Sequence, residues 1–335
     1  MITDVSTRIW NDTTEIGIQP GCVPTPWKSV WPSLTATGES HDDATSCVDL
    51  AFVSSFRSEF LGAHLPAERI ASFVGKAPNR RIGFAGIDPM HRDAMLDVDQ
   101  AVKLGLSGVT ISPAAQNYHP TNSRAMRLYE FCERLGLPIL IEYGIHLSLP
   151  AVTLEYARPT ALDEVARSFP NLKMVIGQFG FPWVDETVLM IGKYSNLYTD
   201  TSGIVAKPWT LYNTLMKAFE GGVLEKVLFG SGFPFDSPEQ AIKRIYTINT
   251  YSIGSELPSI PRSQLRGIVE RDALDCLGLQ RPEGASIGRG IGRVYDSSTT
   301  EDALSEHYGN QTQKDEDWEN QHHYPNSEQQ ARSQF

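Results

Sequence analysis

The sequence reads Gly108-Val109-Thr110-Ile111, then a helical stretch, then Ile139-Leu140-Ile141-Glu142-Tyr143. Both quoted runs are short and rich in the β-branched residues that favour strands. The stretch between them carries apolar side chains three or four positions apart, at Met126, Leu128, Phe131, Cys132 and Leu135. That spacing predicts a helix with one buried face. Strand, helix and strand in succession indicate a βαβ unit with parallel strands.

The same pattern recurs along residues 1–280. The predicted strands are Ile2–Val5, Cys47–Val53, Ile82–Ile87, Gly108–Ile111, Ile139–Tyr143, Lys173–Ile176, Asn196–Thr199 and Lys226–Phe229. Eight strands, each followed by a helix, predict an α/β fold with a single (β/α)8 TIM barrel. The alternative is an open doubly wound sheet, which would have a glycine-rich turn after its first strand. Here that turn, Ser6-Thr7-Arg8-Ile9-Trp10, contains no glycine.

Composition excludes several classes of function. The chain has 335 residues, with 29 Lys and Arg against 40 Asp and Glu, and a formal net charge of −11. An acidic chain is not expected to bind nucleic acid or an anionic membrane surface. The sequence contains no apolar run of the roughly 18 to 20 residues that a membrane helix needs. The first residues lack a signal-peptide pattern and the four cysteines are scattered, so we expect a cytoplasmic protein.

Residues 281–335 differ from the rest of the chain. They hold five basic and ten acidic residues, and apolar side chains are scarce. Such a segment buries too little apolar surface to offset the entropy that ordering costs. We therefore predict two parts, a barrel over residues 1–280 and a polar acidic C-terminal tail over residues 281–335.

In a TIM barrel the chemistry lies where the strands end. The barrel segments also resemble the amidohydrolase-2 (amidohydrolase-related) family of TIM-barrel hydrolases and decarboxylases, most of which depend on a metal. The resemblance runs from Met1 to about Leu279. The matching stretches are Arg81–Pro89, Leu104–Val109, Leu135–Ile141, Phe169–Gly177, Phe229–Ser231 before Phe233-Pro234, and Asp272–Leu279.

The chain departs from that family where the resemblance implies metal ligands. The family opens with Asp-x-His-x-His, whereas this sequence reads Asp4-Val5-Ser6-Thr7-Arg8. The remaining family ligands, two histidines and an aspartate, fall on Glu142, Gln178 and Gly232. An arginine offers no lone pair and would repel a neighbouring cation. We therefore predict no metal and no other cofactor.

Two functions remain open. The first is a metal-independent hydrolase or carbon–carbon lyase, decarboxylase-like, that acts on a small carboxylated substrate. Its predicted catalytic residues are Arg8, Glu142, Gln178 and Asp236, and its predicted substrate-binding residues are Ser6, Arg57, Tyr143, His146, Ser202 and Ser231. Arg8 would hold a carboxylate or an oxyanion, and Glu142 would act as a general acid or base.

The alternative is a catalytically inactive pseudo-enzyme that serves as a structural or regulatory partner subunit. For either function the resemblance implies a homodimer, or a heteromer with a related subunit. Both functions also predict that the side chains of Arg8 and Glu142 face each other near the barrel axis.

Overall fold

The computed structural model describes residues 1–19, 22–24 and 36–285. The strands are β1 (Thr3–Thr7), β2 (Leu50–Ser54), β3 (Phe56–Ser58), β4 (Ala63–Leu65), β5 (Arg81–Gly86), β6 (Gly108–Ile111), β7 (Ile139–Ile141), β8 (Met174–Ile176), β9 (Leu197–Asp200) and β10 (Val227–Leu228). All but β3 and β4 form one sheet of eight strands in the order β1-β2-β5-β6-β7-β8-β9-β10, and every pair in it is parallel.

Backbone hydrogen bonds join the two edges of this sheet. The N–H of Val5 donates to the carbonyl of Phe229 at 2.9 Å, and the N–H of Gly232 donates to the carbonyl of Ser6 at 3.0 Å. The sheet therefore curls into a barrel, and the predicted (β/α)8 fold is confirmed.

Helices connect the strands. They are α1 (Gly38–Ala44), α2 (Ala67–Gly75), α3 (Ala94–Lys103), α4 (Ser123–Leu135), α5 (Asp163–Ser168), α6 (Val184–Lys193), α7 (Pro208–Glu220), α8 (Pro238–Tyr246), α9 (Arg262–Glu270) and α10 (Ala273–Leu277). The ends of α4 show how local sequence sets these bounds. The side chain of Asn122 accepts a hydrogen bond from the N–H of Arg124, and the helix ends at Gly136, whose φ of 67° suits glycine. Within the described part of the chain, no helix is long and apolar enough to cross a membrane.

Two apolar layers pack against the sheet. The larger one lies between the strands and the surrounding helices. The smaller one fills the barrel interior with alternate strand residues, among them Phe52, Phe84 and Leu228. Helix α10 and Met1 pack against this interior layer. Since Met1 precedes β1, Met1 and α10 close the barrel at the amino ends of the strands. A functional site is therefore expected at the carboxyl ends.

The structure differs from the sequence-based expectation in two details. Residues 45–47 form a 3-10 turn after α1, so β2 begins at Leu50 rather than near Cys47. An antiparallel hairpin of β3 and β4 follows β2, and the sequence did not predict it. The predicted tail lies outside the described residues from position 286 onward, so its separation from the barrel stays a prediction.

Candidate active site

A small cavity lies at the carboxyl ends of the strands. Its volume is about 30 Å3, and its polar lining consists of Ser6, Thr7, Arg8, Ser54, Glu142, Tyr143, Gln178, Asp200 and Ser202. A water molecule needs about 10–15 Å3 on this measure, so the cavity has room for about two or three waters. Six of the ten site residues predicted from the sequence line this one space.

Arg8 and Glu142 pair inside the cavity. Arg8 Nε donates to Glu142 Oε1 at 3.0 Å, and Arg8 Nη2 pairs with Glu142 Oε2. The two side chains are only 16% and 11% exposed. Burial lowers the pKa of Arg8 to about 10, so it stays protonated at neutral pH. The predicted convergence of these two residues is confirmed, in the two-pronged geometry that makes an arginine–carboxylate contact strong.

Asp200 brings a second carboxyl group to the same cavity, at the end of β9. Its Oδ1 accepts hydrogen bonds from the N–H of Ser202 at 2.7 Å, from the Ser202 hydroxyl at 2.5 Å and from the N–H of Gln178 at 3.3 Å. Burial raises the pKa of Asp200, although these hydrogen bonds and the charge of Arg8 oppose the shift. The site therefore holds one carboxylate paired with a cation and one carboxyl that burial pushes toward its neutral form.

Asp4 lies just below the cavity, where the barrel closes. Its Oδ1 accepts hydrogen bonds from the N–H of Ser6 at 3.1 Å and from the N–H of Ser231 at 3.0 Å. Burial raises its pKa to about 7. The register of β1 shifts between Asp4 and Thr7, and the carboxyl group of Asp4 holds that irregular backbone against the segment after β10.

Gln178 has an unusual backbone and side-chain setting. Its φ is 55°, in the left-handed region that costs a non-glycine residue energy. A Cβ at Gly144 would lie 2.8 Å from Gln178 Nε2, and a Cβ at Gly203 would lie 2.7 Å from its Cδ. Two glycines therefore make room for this amide. The amide lines the cavity, and no described residue forms a hydrogen bond with it.

The comparison with known families decides which family this barrel belongs to. The model of the Amidohydro_2 family, described as amidohydrolase, matches residues 32–259. The chain belongs to the amidohydrolase family. No curated protein matches it at a significant level.

Solved structures share the fold of this family member. An uncharacterised TIM-barrel protein from Bordetella bronchiseptica has 20% identity and a TM-score of 0.62, over 83% of this chain and 99% of that one. A probable 2-pyrone-4,6-dicarboxylic acid hydrolase from Acinetobacter baumannii, solved with citric acid, has 14% identity and a TM-score of 0.60 over the same shares. A dihydroxybenzoic acid decarboxylase from a Polaromonas species, solved with manganese and 2-nitroresorcinol, has 17% identity and a TM-score of 0.57, over 83% and 96%.

Among the described residues of this amidohydrolase-family chain, no group of three or more His, Cys, Asp or Glu side chains is arranged to hold a metal ion. At the cavity, Glu142 and Asp200 share the space with the guanidinium of Arg8.

Four of the predicted site residues lie outside the cavity lining. Asp236 forms an ion pair with Arg244. Arg57 pairs with Glu59 at 3.0 Å and with Asp97 at 3.3 Å. Both charges are therefore used in structural contacts away from the strand-end centre.

His146 and Ser231 also have structural partners. His146 is buried, its Nε2 lies 2.6 Å from the carbonyl oxygen of Ile16, and its ring stacks on Phe56 with centroids 4.7 Å apart. Burial lowers its pKa to about 4, so the ring is neutral at physiological pH. The Ser231 hydroxyl accepts a hydrogen bond from the N–H of Phe233 at 3.1 Å.

Asp4, Ser54 and Asp200 belong to the site or its support, but the sequence did not place them in the predicted set. Asp4 has a signal that could have been used, because an acidic residue inside an apolar strand must find hydrogen-bond donors. Asp200 directly follows the predicted strand Asn196–Thr199, and its place at a strand end, where a barrel carries its chemistry, is the signal that points to it. Ser54 ends β2 and faces inward, which is visible once the strand bounds are known.

Proposed function

We propose that this chain is an enzyme that hydrolyses or decarboxylates a small carboxylated substrate without a metal ion. The observation that carries the proposal is the protonated guanidinium of Arg8, held at the strand ends beside two carboxyl groups. A buried arginine at the reaction centre of a barrel is suited to bind a carboxylate by two parallel hydrogen bonds.

The donor set does not fit a divalent metal. Arg8 has no lone pair, and its charge would repel a cation placed in the cavity. Glu142 already directs both of its oxygens to Arg8. The other family ligand positions hold Ser6, Gln178 and Gly232, none of which supplies imidazole, thiolate or carboxylate. No step of the proposed reaction therefore runs through a metal.

Substrate binding requires an exchange of partners at Arg8. The cavity of about 30 Å3 is too small for an aromatic or dicarboxylic acid while Glu142 occupies the guanidinium. A substrate carboxylate can replace Glu142 on Arg8, and Glu142 is then released as a base within the site. The amide of Gln178 and the hydroxyls of Ser6 and Ser54 are free for ligand oxygens, because no described side chain or backbone group forms a hydrogen bond with them.

The similar structures support this substrate class. Two of them are identified as enzymes that act on carboxylated compounds, 2-pyrone-4,6-dicarboxylic acid and dihydroxybenzoic acid. Both compounds place a carboxylate on a small planar ring. A ring carboxylate fits the planar fork of an arginine.

The proposal is tested by measuring substrate turnover by the protein after all metal has been removed from it. Metal-stripped protein is incubated with 2-pyrone-4,6-dicarboxylate and with dihydroxybenzoates, and substrate loss and CO2 release are followed. We expect turnover of at least one of these compounds, at a rate that the addition of a chelator does not change. Arg8→Met should lower kcat/KM at least about 100-fold, as expected when a charged binding contact at the reaction centre is lost.

The matched control is Arg69→Met. Arg69 pairs with Glu15 at 2.6 Å outside the cavity lining, so its loss should leave kcat/KM unchanged within about twofold. Turnover that appears only after manganese or zinc is added would show that the proposed metal independence is wrong.

A non-catalytic subunit is the second candidate, and one observation favours it. The cavity is nearly filled, and the charge of Arg8 is already neutralised by Glu142. If this candidate is right, no small carboxylate is converted or raises the melting temperature, and the Arg8–Glu142 pair serves stability alone. Assembly as a homodimer, or with a related subunit, is part of this candidate, and light scattering tests the homodimer.

A further inference from the structure

Asp200 is the carboxyl group of the cavity that has one oxygen fixed and one oxygen free. Oδ1 accepts three hydrogen bonds, from the N–H and hydroxyl of Ser202 and from the N–H of Gln178. No described residue forms a hydrogen bond with Oδ2. We propose that Asp200 is the general acid, which delivers from Oδ2 the proton that the reaction consumes. This inference rests on the proposed function.

The backbone around Asp200 explains why its orientation is set. Three donors on one oxygen prevent the carboxyl group from rotating freely, so the second oxygen has a defined direction. That oxygen lies 3.6 Å from the position where a Cβ would stand at Gly177, and Gly177 lines the cavity. A Cβ there would also lie 2.8 Å from the carbonyl oxygen of Ile141, so glycine at this position keeps the cavity wall beside Oδ2 free of a side chain.

Burial favours a proton on Asp200, because it penalises the ionised form more than the hydrogen bonds from Ser202 and Gln178 and the charge of Arg8 stabilise it. Asp4 on β1 is a second buried carboxyl group, and the charge of Asp200 adds to the rise of its pKa. Arg8, directly after β1, opposes the effect of burial on Asp200, but Glu142 after β7 balances the guanidinium in the free chain. In the complex, the substrate carboxylate neutralises the charge of Arg8 in place of Glu142. The two carboxyl groups of the cavity thus have different settings in the free chain: Glu142 is held in an ion pair by Arg8, whereas burial favours the neutral form of Asp200.

The proton of Asp200 is consumed at a defined atom both in a decarboxylation and in a lactone hydrolysis. In a decarboxylation the bond between the carboxylate carbon and the ring carbon breaks, CO2 leaves, and the electron pair stays on the ring carbon, which takes the proton from Asp200 Oδ2. In a lactone hydrolysis water adds to the carbonyl carbon, Glu142 takes the water's proton, and the ring oxygen leaves with the proton of Asp200. In both cases Asp200 is left ionised. It regains its proton from water in the first case and from Glu142, through solvent, in the second.

Carbon-13 NMR of the full chain labelled at the aspartate carboxyl carbons tests the proton on Asp200 without any substrate. The Asp200→Asn spectrum identifies the signal of Asp200, and Asp4→Asn identifies the neighbouring signal of Asp4. We expect the Asp200 signal to titrate with a midpoint above the ordinary aspartate value of 3.8. A midpoint at or below that value overturns the inference, because Asp200 would then hold no proton to deliver.

Turnover and binding form the second part of the experiment. Asp200→Asn should lower kcat at least about 100-fold and change the affinity for a carboxylate less than about threefold. Asp200→Asn that keeps wild-type kcat overturns the inference while the proposed function stands. A wild-type chain that neither binds nor converts any carboxylate of the panel overturns the proposed function, and the inference with it.

Discussion

The Arg8–Glu142 pair should behave as a strongly coupled unit in a double-mutant cycle. Removing one partner of a truly buried pair costs about 3–5 kcal/mol, because the other charge is left stranded. The two side chains keep 16% and 11% of their surface exposed, which lets water relieve part of the cost. We therefore expect about 3 kcal/mol for Arg8→Met alone and a similar loss for Glu142→Gln alone. In a barrel of this size that loss lowers the melting temperature by about 6–12 °C.

The double variant Arg8→Met/Glu142→Gln should be more stable than either single variant, since it leaves no unpaired charge. We expect it to recover about 2 kcal/mol, so the coupling free energy is clearly larger than zero. Chemical unfolding followed by circular dichroism measures all four chains at one pH. The control cycle uses Arg69 and Glu15, whose side chains are 33% and 18% exposed, and it should give less than about 1 kcal/mol.

Additive single losses in the Arg8–Glu142 cycle would contradict this reasoning. They would show that the two groups do not share a desolvated contact, and that each charge is solvated independently. A loss below about 1 kcal/mol in both single variants would mean that water reaches the cavity freely.

Four further results are expected. Burial raises the pKa of Asp4 to about 7. Between about pH 4 and pH 7 the folded chain therefore keeps a proton on Asp4 that the unfolded chain has lost, so the free energy of unfolding falls as the pH rises through this window. Asp4→Asn should remove this part of the fall when unfolding is measured at about pH 5 and pH 8. His146→Phe should cost about 1–3 kcal/mol in chemical unfolding, because the carbonyl of Ile16 loses its partner, with carboxylate affinity unchanged in a binding titration. Gln178→Ala should weaken carboxylate binding about tenfold in the same titration, with a melting temperature within about 2 °C of wild type. Removal of residues 286–335 should shift the melting temperature by less than about 2 °C in a thermal scan, because that acidic segment carries few apolar side chains.

The barrel could be predicted from the sequence because its signal is repeated and local. Each barrel strand is a short apolar run, and helices with one apolar face lie between the runs. The predicted run Gly108–Ile111 agrees fully with β6, and the helix predicted from the apolar positions between Met126 and Leu135 lies within α4. The β3–β4 hairpin could not be predicted in this way, because strands of three residues are too short for alternation to show.

The candidate site could be predicted only in part. Arg8, Glu142 and Gln178 were found because each occupies a strand-end position that the family resemblance marks. His146 follows β7 closely, but its partner Ile16 is 130 positions away, and no local pattern shows that contact. The cavity volume also depends on how the long side chains of Arg8 and Glu142 are oriented, and strand periodicity says nothing about that.

The proposed function depends on Arg8 binding a carboxylate in a site without a metal. Titration calorimetry of the metal-stripped full chain with 2-pyrone-4,6-dicarboxylate, dihydroxybenzoate and citrate measures that binding. We expect saturable binding of at least one of these ligands, loss of that binding in Arg8→Met, and unchanged binding in Arg69→Met. Binding that requires added manganese or zinc and survives in Arg8→Met would contradict this expectation.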